Sequence, residues 1–211
     1  MTAPTQLSLY NGALPLCSER KLASLSDDGE SLRTLNDVWA DGFLDKCLEQ
    51  GWWKHAMRTV SQTFTTGVAL SFGYTYGKVW PTDLVTLYQI STDERFSLPL
   101  LNYYEQGRTW YCDFETVYIR YVSNDAIYGA SYALWPESYR NFVHHALAFQ
   151  VLPRLADPKV KLDDLERKLH VALLDARSKD AMKDPTKFLP ESSWPAARRG
   201  RGPRYRDPYT A

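Results

Sequence analysis

The sequence predicts an α+β fold: a four-helix-type bundle with an inserted antiparallel β subdomain and an extended C-terminal tail. Three observations carry this. Apolar residues recur at steps of three and four near both ends of the 211-residue chain, the spacing of one helix face. Between them lies a stretch rich in Thr, Val, Tyr and Trp that alternates with a period of two. The last 24 residues follow neither period and hold Pro190, Pro195, Pro203 and Pro208, each of which removes a backbone donor and fixes φ.

The first helix spans about Gln6 to Leu14, and Pro15 is expected to close it. A second starts from a cap at Asp27 or Asp28. Leu32, Leu35, Trp39, Phe43 and Cys47 mark its buried face, and Gly51 is expected to end it in a left-handed conformation. From Trp52 the period changes. Expected strands are His55–Thr66, Thr75–Trp80, Leu84–Ser91, Leu100–Tyr104, Thr109–Phe114 and Thr116–Val122. In the last of these, Val117, Ile119 and Tyr121 share a face. Tyr103 to Cys112 reads as a hairpin turning at Gln106-Gly107. Phe64 to Gly77, with three glycines, reads as a long pliable loop.

Helix returns at Pro136, a favoured first-turn residue, with Tyr139, Phe142, Val143, Ala146 and Leu147 on one side. Pro153 should kink or end it. The last helix, about Val160 to Lys183, carries the stripe Leu162, Leu165, Leu169, Ala172, Leu173 and Ala176. Asp163 with Arg167 and Asp164 with Lys168 are i,i+4 pairs on its wet side. The expected organisation is therefore 1–52 with 130–185 as the helical core, 53–129 as the β insertion and 186–211 as the tail. Trp52-Trp53 sits at the hinge, where alternation turns one ring to each part.

Lys plus Arg equals Asp plus Glu, at 25 each, but the charge is unevenly placed. From Phe188 on, five arginines face only Glu191 and Asp207, so the tail is basic and the body slightly acidic. Such a chain is no general polyanion binder. A tail of this composition buries too little apolar surface to order alone. The expected partner is another chain; the alternative is its own domain, through Phe188, Trp194, Tyr205 and Tyr209. Arg198 to Arg206, RRGRGPRYR, also resembles an Arg/Gly nucleic-acid segment, since Arg and Tyr stack on bases. A nucleic-acid-binding accessory protein is therefore the competing function.

Cys17, Cys47 and Cys112 are widely spaced and odd in number, which predicts free thiols in a reducing compartment. The opening MTAPTQLSLYNGALPL lacks the basic and apolar regions of a secretory signal, and no apolar run is long enough to span a membrane. His144 and His145 diverge by about 100° on a helix and do not converge on a metal. There is no GxSxG, Walker loop, GxGxxG or HExxH. Neither enzyme chemistry nor a cofactor or metal is expected.

LSLYNGAL, Leu7 to Leu14, followed by a long helix and LEQGWWKHAMRTV, Leu48 to Val60, resembles the opening of phage head-to-tail adaptor proteins of the podovirus tail tubular protein A group. Asn11, Ala13 and Leu14 match its first helix; Trp53 and Ala56 match its entry into strands. VWPTDLVTLYQIS is similar to its Pro-x-Asp strand through Pro81 and Asp83. WPESYRNFVHHALAFQVLPRLA is similar to its next helix through Pro136, Tyr139, Ala146, Leu147 and Ala148. The chain departs in having Pro15 where the pattern has Gly, and in its longer basic tail. The resemblance implies a structural virion protein at the head-tail neck, assembled in the host cytoplasm. It implies a ring of about twelve copies beneath the portal protein, carrying the tail tube or nozzle protein, with genomic DNA passing through without sequence-specific binding. No cofactor and no membrane are implied. On this reading Trp194, Arg198, Arg199, Arg201, Arg204, Tyr205, Arg206 and Tyr209 dock on the portal.

Overall fold

A computed structural model of the chain describes residues 5–27, 29–66, 68, 73–155 and 159–184, with side chains of the last helix described from Leu162 onward. The chain divides into a compact unit through Ala181 and a second unit, Met182–Ala211, most of which lies outside the described residues. The first unit is mixed α+β. Among the described residues it holds five α-helices and two three-stranded antiparallel sheets.

Helix α1, Gln6–Ala13, starts at a capping box in which Thr5 and Ser8 each bond the other's backbone. Pro15 does not end the helical path. It occupies the first turn of a 3₁₀ segment, Leu14–Cys17, where a missing N–H costs nothing. The second expected helix is in fact two, α2 at Glu30–Ala40 and α3 at Phe43–Leu48. Gly42, at φ +73°, makes the break, a conformation that glycine adopts without steric cost. Asp27 does not cap α2; Gly29 does, with no side-chain bond, and Asp28 lies outside the described residues. Gly51 is not left-handed either. Its lack of a side chain lets the Trp53 ring approach, since a Cβ there would stand 3.1 Å from it.

Strands β1 (Met57–Thr63), β6 (Thr116–Ser123) and β3 (Leu84–Ser91) form one sheet with β6 in the middle. Strands β2 (Tyr76–Val79), β5 (Thr109–Cys112) and β4 (Tyr104–Gln106) form the other around β5. The β4–β5 turn is Gly107-Arg108, with φ +57° and +60°, one residue later than expected; left-handed geometry at both positions matches the twist of the flanking strands. Val117, Ile119 and Tyr121 do share a buried face, and with Phe64, Leu84, Ile90, Trp110 and Cys112 they form an apolar cluster of the β region.

Helix α4, Glu137–Leu155, follows Pro136, whose carbonyl accepts the Arg140 N–H. It packs against α1, α2, α3 and α5 (Lys159–Ala181) and so occupies the middle of the helical core. Pro153 stands within the last turn, and the helix stops two residues later. On α5, Leu165, Ala172 and Ala176 are buried, while Leu162, Leu169 and Leu173 are half-buried at the margin. Lys168 pairs with Asp164 at 2.6 Å, but Arg167 donates to the Asp163 backbone carbonyl rather than its carboxylate.

The helical cluster also takes in Met57, Val85 and Val122 from the near ends of β1, β3 and β6. Two register shifts in β3 explain how one strand serves both sides. They fall between Leu84 and Thr86 and between Leu87 and Gln89. The residues they free are Val85, which packs against the helical cluster, and Tyr88, whose ring meets Trp52 edge-on at 5.0 Å.

Candidate functional site

The residues that carry the sequence resemblance occupy two kinds of position. The first is apolar. Trp53 is buried beside Tyr139 (4.7 Å between centroids) and Phe142 (6.0 Å), and His55 lies 4.5 Å from Tyr139. Trp135 closes the group edge-on to Tyr139 at 5.0 Å. Edge-to-face contacts of this kind add to what burial of the rings contributes. Burial, with Cys47 nearby, raises the Tyr139 phenol well above its ordinary value, so it stays neutral. Ala13, Leu14, Ala56, Ala146, Leu147 and Ala148 fill the same core.

The second kind is polar. Asn11 pins the segment after α1 by donating to the Leu22 carbonyl at 3.0 Å and accepting from the Leu22 N–H at 2.7 Å. Asp83, immediately before β3, receives Arg58 Nη1 at 2.8 Å, Ser123 Oγ at 2.5 Å and the Tyr121 hydroxyl at 3.1 Å. Arg58 also stands 3.8 Å from Asp125 and lies over the Tyr128 ring. Burial alone would raise the Asp83 pKa. The bonds from Ser123 and Arg58, with the charge of Arg58, more than offset this and hold it below the usual carboxylate value. The same burial and the Asp83 charge push the Tyr121 phenol up, so it remains a donor. Asn124 extends the network to the helices by donating to Asp45 of α3 at 3.0 Å. The arrangement sets one cation, Arg58, between two carboxylates, Asp83 and Asp125. It holds β1, β3 and β6 in register with the loop after β6; it exposes no free nucleophile.

The eight predicted docking residues, Trp194, Arg198, Arg199, Arg201, Arg204, Tyr205, Arg206 and Tyr209, all lie outside the described residues. So does much of the expected Phe64 to Gly77 loop; of its described part, Phe64 is buried and Thr65 pairs with Gly77. His144 is half-buried against Gly12 of α1, and burial lowers its pKa. His145 instead bonds the Asn141 carbonyl of its own helix, so the two imidazoles point to different surroundings, as their adjacency predicts. The three cysteines are buried and form no disulfide. Among the described residues no group of three or more His, Cys, Asp or Glu side chains is placed to hold a metal, and no helix is long and apolar enough to cross a membrane. An open cleft of about 300 Å³ between the segment after α1 and the start of α2 is lined by Glu19, Arg20, Lys21 and Asp27, charges of both signs without a convergent pair.

Sequence reading picked out Asp83 but not its partners. Arg58 and Ser123 sit 25 and 40 residues away from it, with no local pattern to mark them. The Thr5-Ser8 box was legible as a Thr-x-x-Ser start and was not recognised in the sequence. No protein-family model matches the chain, and a search of curated proteins gives no match.

Proposed function

We propose that this chain is a structural virion protein, a head-to-tail adaptor that forms a ring under the portal, extends the DNA channel and receives the tail. One observation supports it above the others. Trp53 and Tyr139, from the pieces that resemble the adaptor's strand entry and its following helix, pack together at 4.7 Å, and Asp83, from the piece that resembles its Pro-x-Asp strand, ties β1 and β6 to the start of β3. The finer fold belongs to the same reading. The helices before residue 53 and after 129 form one bundle, into which 53–129 is inserted as an antiparallel subdomain. Separate apolar clusters in the helical and β parts support that division. The role needs no catalytic group, cofactor or metal, and the tail from about 186 supplies the portal contact through Trp194, Tyr205, Tyr209 and its arginines.

The deciding experiment is the mass of the purified particle with class averages by electron microscopy. Head-to-tail contacts that close give a ring, expected to hold about twelve copies. A monomer or dimer that binds DNA with a steep salt dependence would instead favour the nucleic-acid reading. Truncation after Pro185 then isolates the tail: the shortened chain should fold but lose binding to portal-bearing heads. Wild-type binding by the truncated chain would remove the tail from the portal contact.

A further inference from the structure

The ends of the two sheets farthest from the helices carry an unusual combination of side chains. At their near ends, Met57, Val85 and Val122 pack on the helical cluster. At the far end lie the stretches 92–105, which runs into β4, and 113–116, which runs into β6. Hydrogen bonds fix these segments in place. Ser91 Oγ donates to the Leu98 carbonyl at 2.7 Å, and the Leu100 N–H donates to Ile90 at 2.8 Å. Tyr104 pairs with Tyr111 across β4–β5, and its ring stacks on Tyr74 at 6.4 Å. On this fixed surface four large apolar side chains face solvent. Leu101 is 86% exposed, Leu98 72%, and Tyr104 and Phe114 are each 46% exposed. Isolated exposed leucines are ordinary, but four at one end of a fold mark a contact surface.

The charges around them say what covers it. Asp93, Glu94, Glu105, Asp113 and Glu115 lie in these two segments, and Arg95 is their one basic residue. Asp93 accepts from backbone N–H groups of its own turn, Asp113 accepts from the backbone and hydroxyl of Thr75 just before β2, and Glu105 accepts from the Trp110 indole at 3.2 Å. Among the described residues none of the five forms an ion pair. Asp93, Glu105 and Asp113 are thus held in place, and the five acids outnumber the bases beside them, Arg95 and Arg120, whose guanidinium lies 4.2 Å from the Phe96 ring centroid. Such a rim repels phosphate groups, which excludes nucleic acid and anionic lipid, and it repels a second copy presented face to face. It attracts a surface of opposite sign.

We infer that this end of the β region is a docking surface for a basic protein segment with an apolar centre. The leucines and rings supply the desolvated middle of the contact and the carboxylates its rim, the usual division of an interface. The inference deepens the adaptor reading by giving the chemistry of the tail-side partner, but its test does not depend on that reading.

The probe is a seven-residue peptide with Leu-Trp-Leu between paired lysines, titrated into the full chain and followed by amide chemical shifts. The control peptide carries glutamates in place of the lysines. Saturable shifts confined to 92–105 and 113–116 are expected, with the basic peptide bound at least about tenfold more tightly and more weakly as salt rises. Leu98→Ser with Leu101→Ser should abolish the binding; both side chains are exposed, so the fold is kept. Glu94→Lys with Glu115→Lys should reverse the peptide preference. Equal binding of the two peptides overturns the inference, as does binding that survives both leucine changes. So does self-association of the wild-type chain that those changes remove, which would make a second copy the occupant. Ring formation is read separately on the same variants. Rings without peptide binding count against this surface alone, and peptide binding without rings counts against the adaptor reading alone.

Discussion

In the helical part, α4 packs against α1, α2, α3 and α5, whereas the sheets meet the helical cluster at one end only. The two apolar clusters share a boundary along β1, β3 and β6, yet they are built differently. The helical cluster joins Tyr10, Trp39, Phe43, Trp53, Tyr139 and Phe142 through ring contacts between elements far apart in sequence. The β cluster is smaller and depends on the central strands β5 and β6, and its far end leaves leucines in solvent. A region whose central helix meets four others is built for packing. A region closed at one end can hold its register at the junction and leave the other end free for a partner.

That contrast can be broken at four points. Trp53→Ala should have the largest effect, about 3–5 kcal/mol of stability by urea denaturation, because it empties the centre of the aromatic group where both parts meet. A loss under 1 kcal/mol would mean that the junction is not a shared core. Gly129→Ala comes next. A Cβ there overlaps the Ser123 carbonyl oxygen, which the Gly129 N–H bonds, and approaches Leu48 to 2.9 Å, so about 1–3 kcal/mol should be lost. The melting temperature should fall while helix content by circular dichroism is retained.

Asp83→Ala sharpens the comparison from the polar side. It leaves Arg58, Ser123 and Tyr121 without their shared acceptor and should cost about 1–3 kcal/mol. The pH dependence has a definite sign. The Asp83 pKa is lower in the folded than in the unfolded chain, where it is about 3.9, so its contribution is complete well above that value. It declines as pH falls through the unfolded value and is gone below the folded one. Wild type and Asp83→Ala should therefore converge in denaturation midpoint at low pH and separate toward neutrality; parallel curves would show that the latch is not ionic. The smallest effect is expected at the open end. Leu98→Ser with Leu101→Ser should change stability by no more than about 0.5 kcal/mol, because neither side chain is buried. A larger loss would mean that the far end belongs to the core after all.

Much of this was legible in the sequence. The enrichment in β-branched and aromatic residues marked β3 to the residue, and period-two spacing placed Val117, Ile119 and Tyr121 of β6 on one face, because alternation in a half-buried strand is a direct record of burial. Alternation turned one ring of Trp52-Trp53 to each part; that Trp52 meets the sheet and Trp53 the helices was decided by the fold. The helix break at Gly42 was missed because the apolar spacing runs on through Phe43 and Cys47, so periodicity outvoted a glycine whose conformation is local. Leu169 was expected in the middle of its stripe and is only half-buried; the extent to which a neighbouring helix covers a stripe is not written in the stripe. Leu165, the more deeply buried of the two, is therefore the residue on α5 whose truncation to Ala should cost more.

By itself the sequence determined the α+β class, the order of helices and strands, the inward faces of the central strands and the composition of the tail. These are short-range properties, set by spacing, proline and glycine chemistry, and the alternation of side chains along one backbone. Tertiary structure alone decided which strands pair, that Asp83 draws Arg58 and Ser123 from other strands, that two register shifts in β3 free Val85 to pack on the helical cluster and Tyr88 to meet Trp52, and that Leu98 and Leu101 stay exposed. Each depends on contacts between residues distant in sequence. The free energy of such contacts arises when surfaces meet and water leaves, an event that no local window of the chain records.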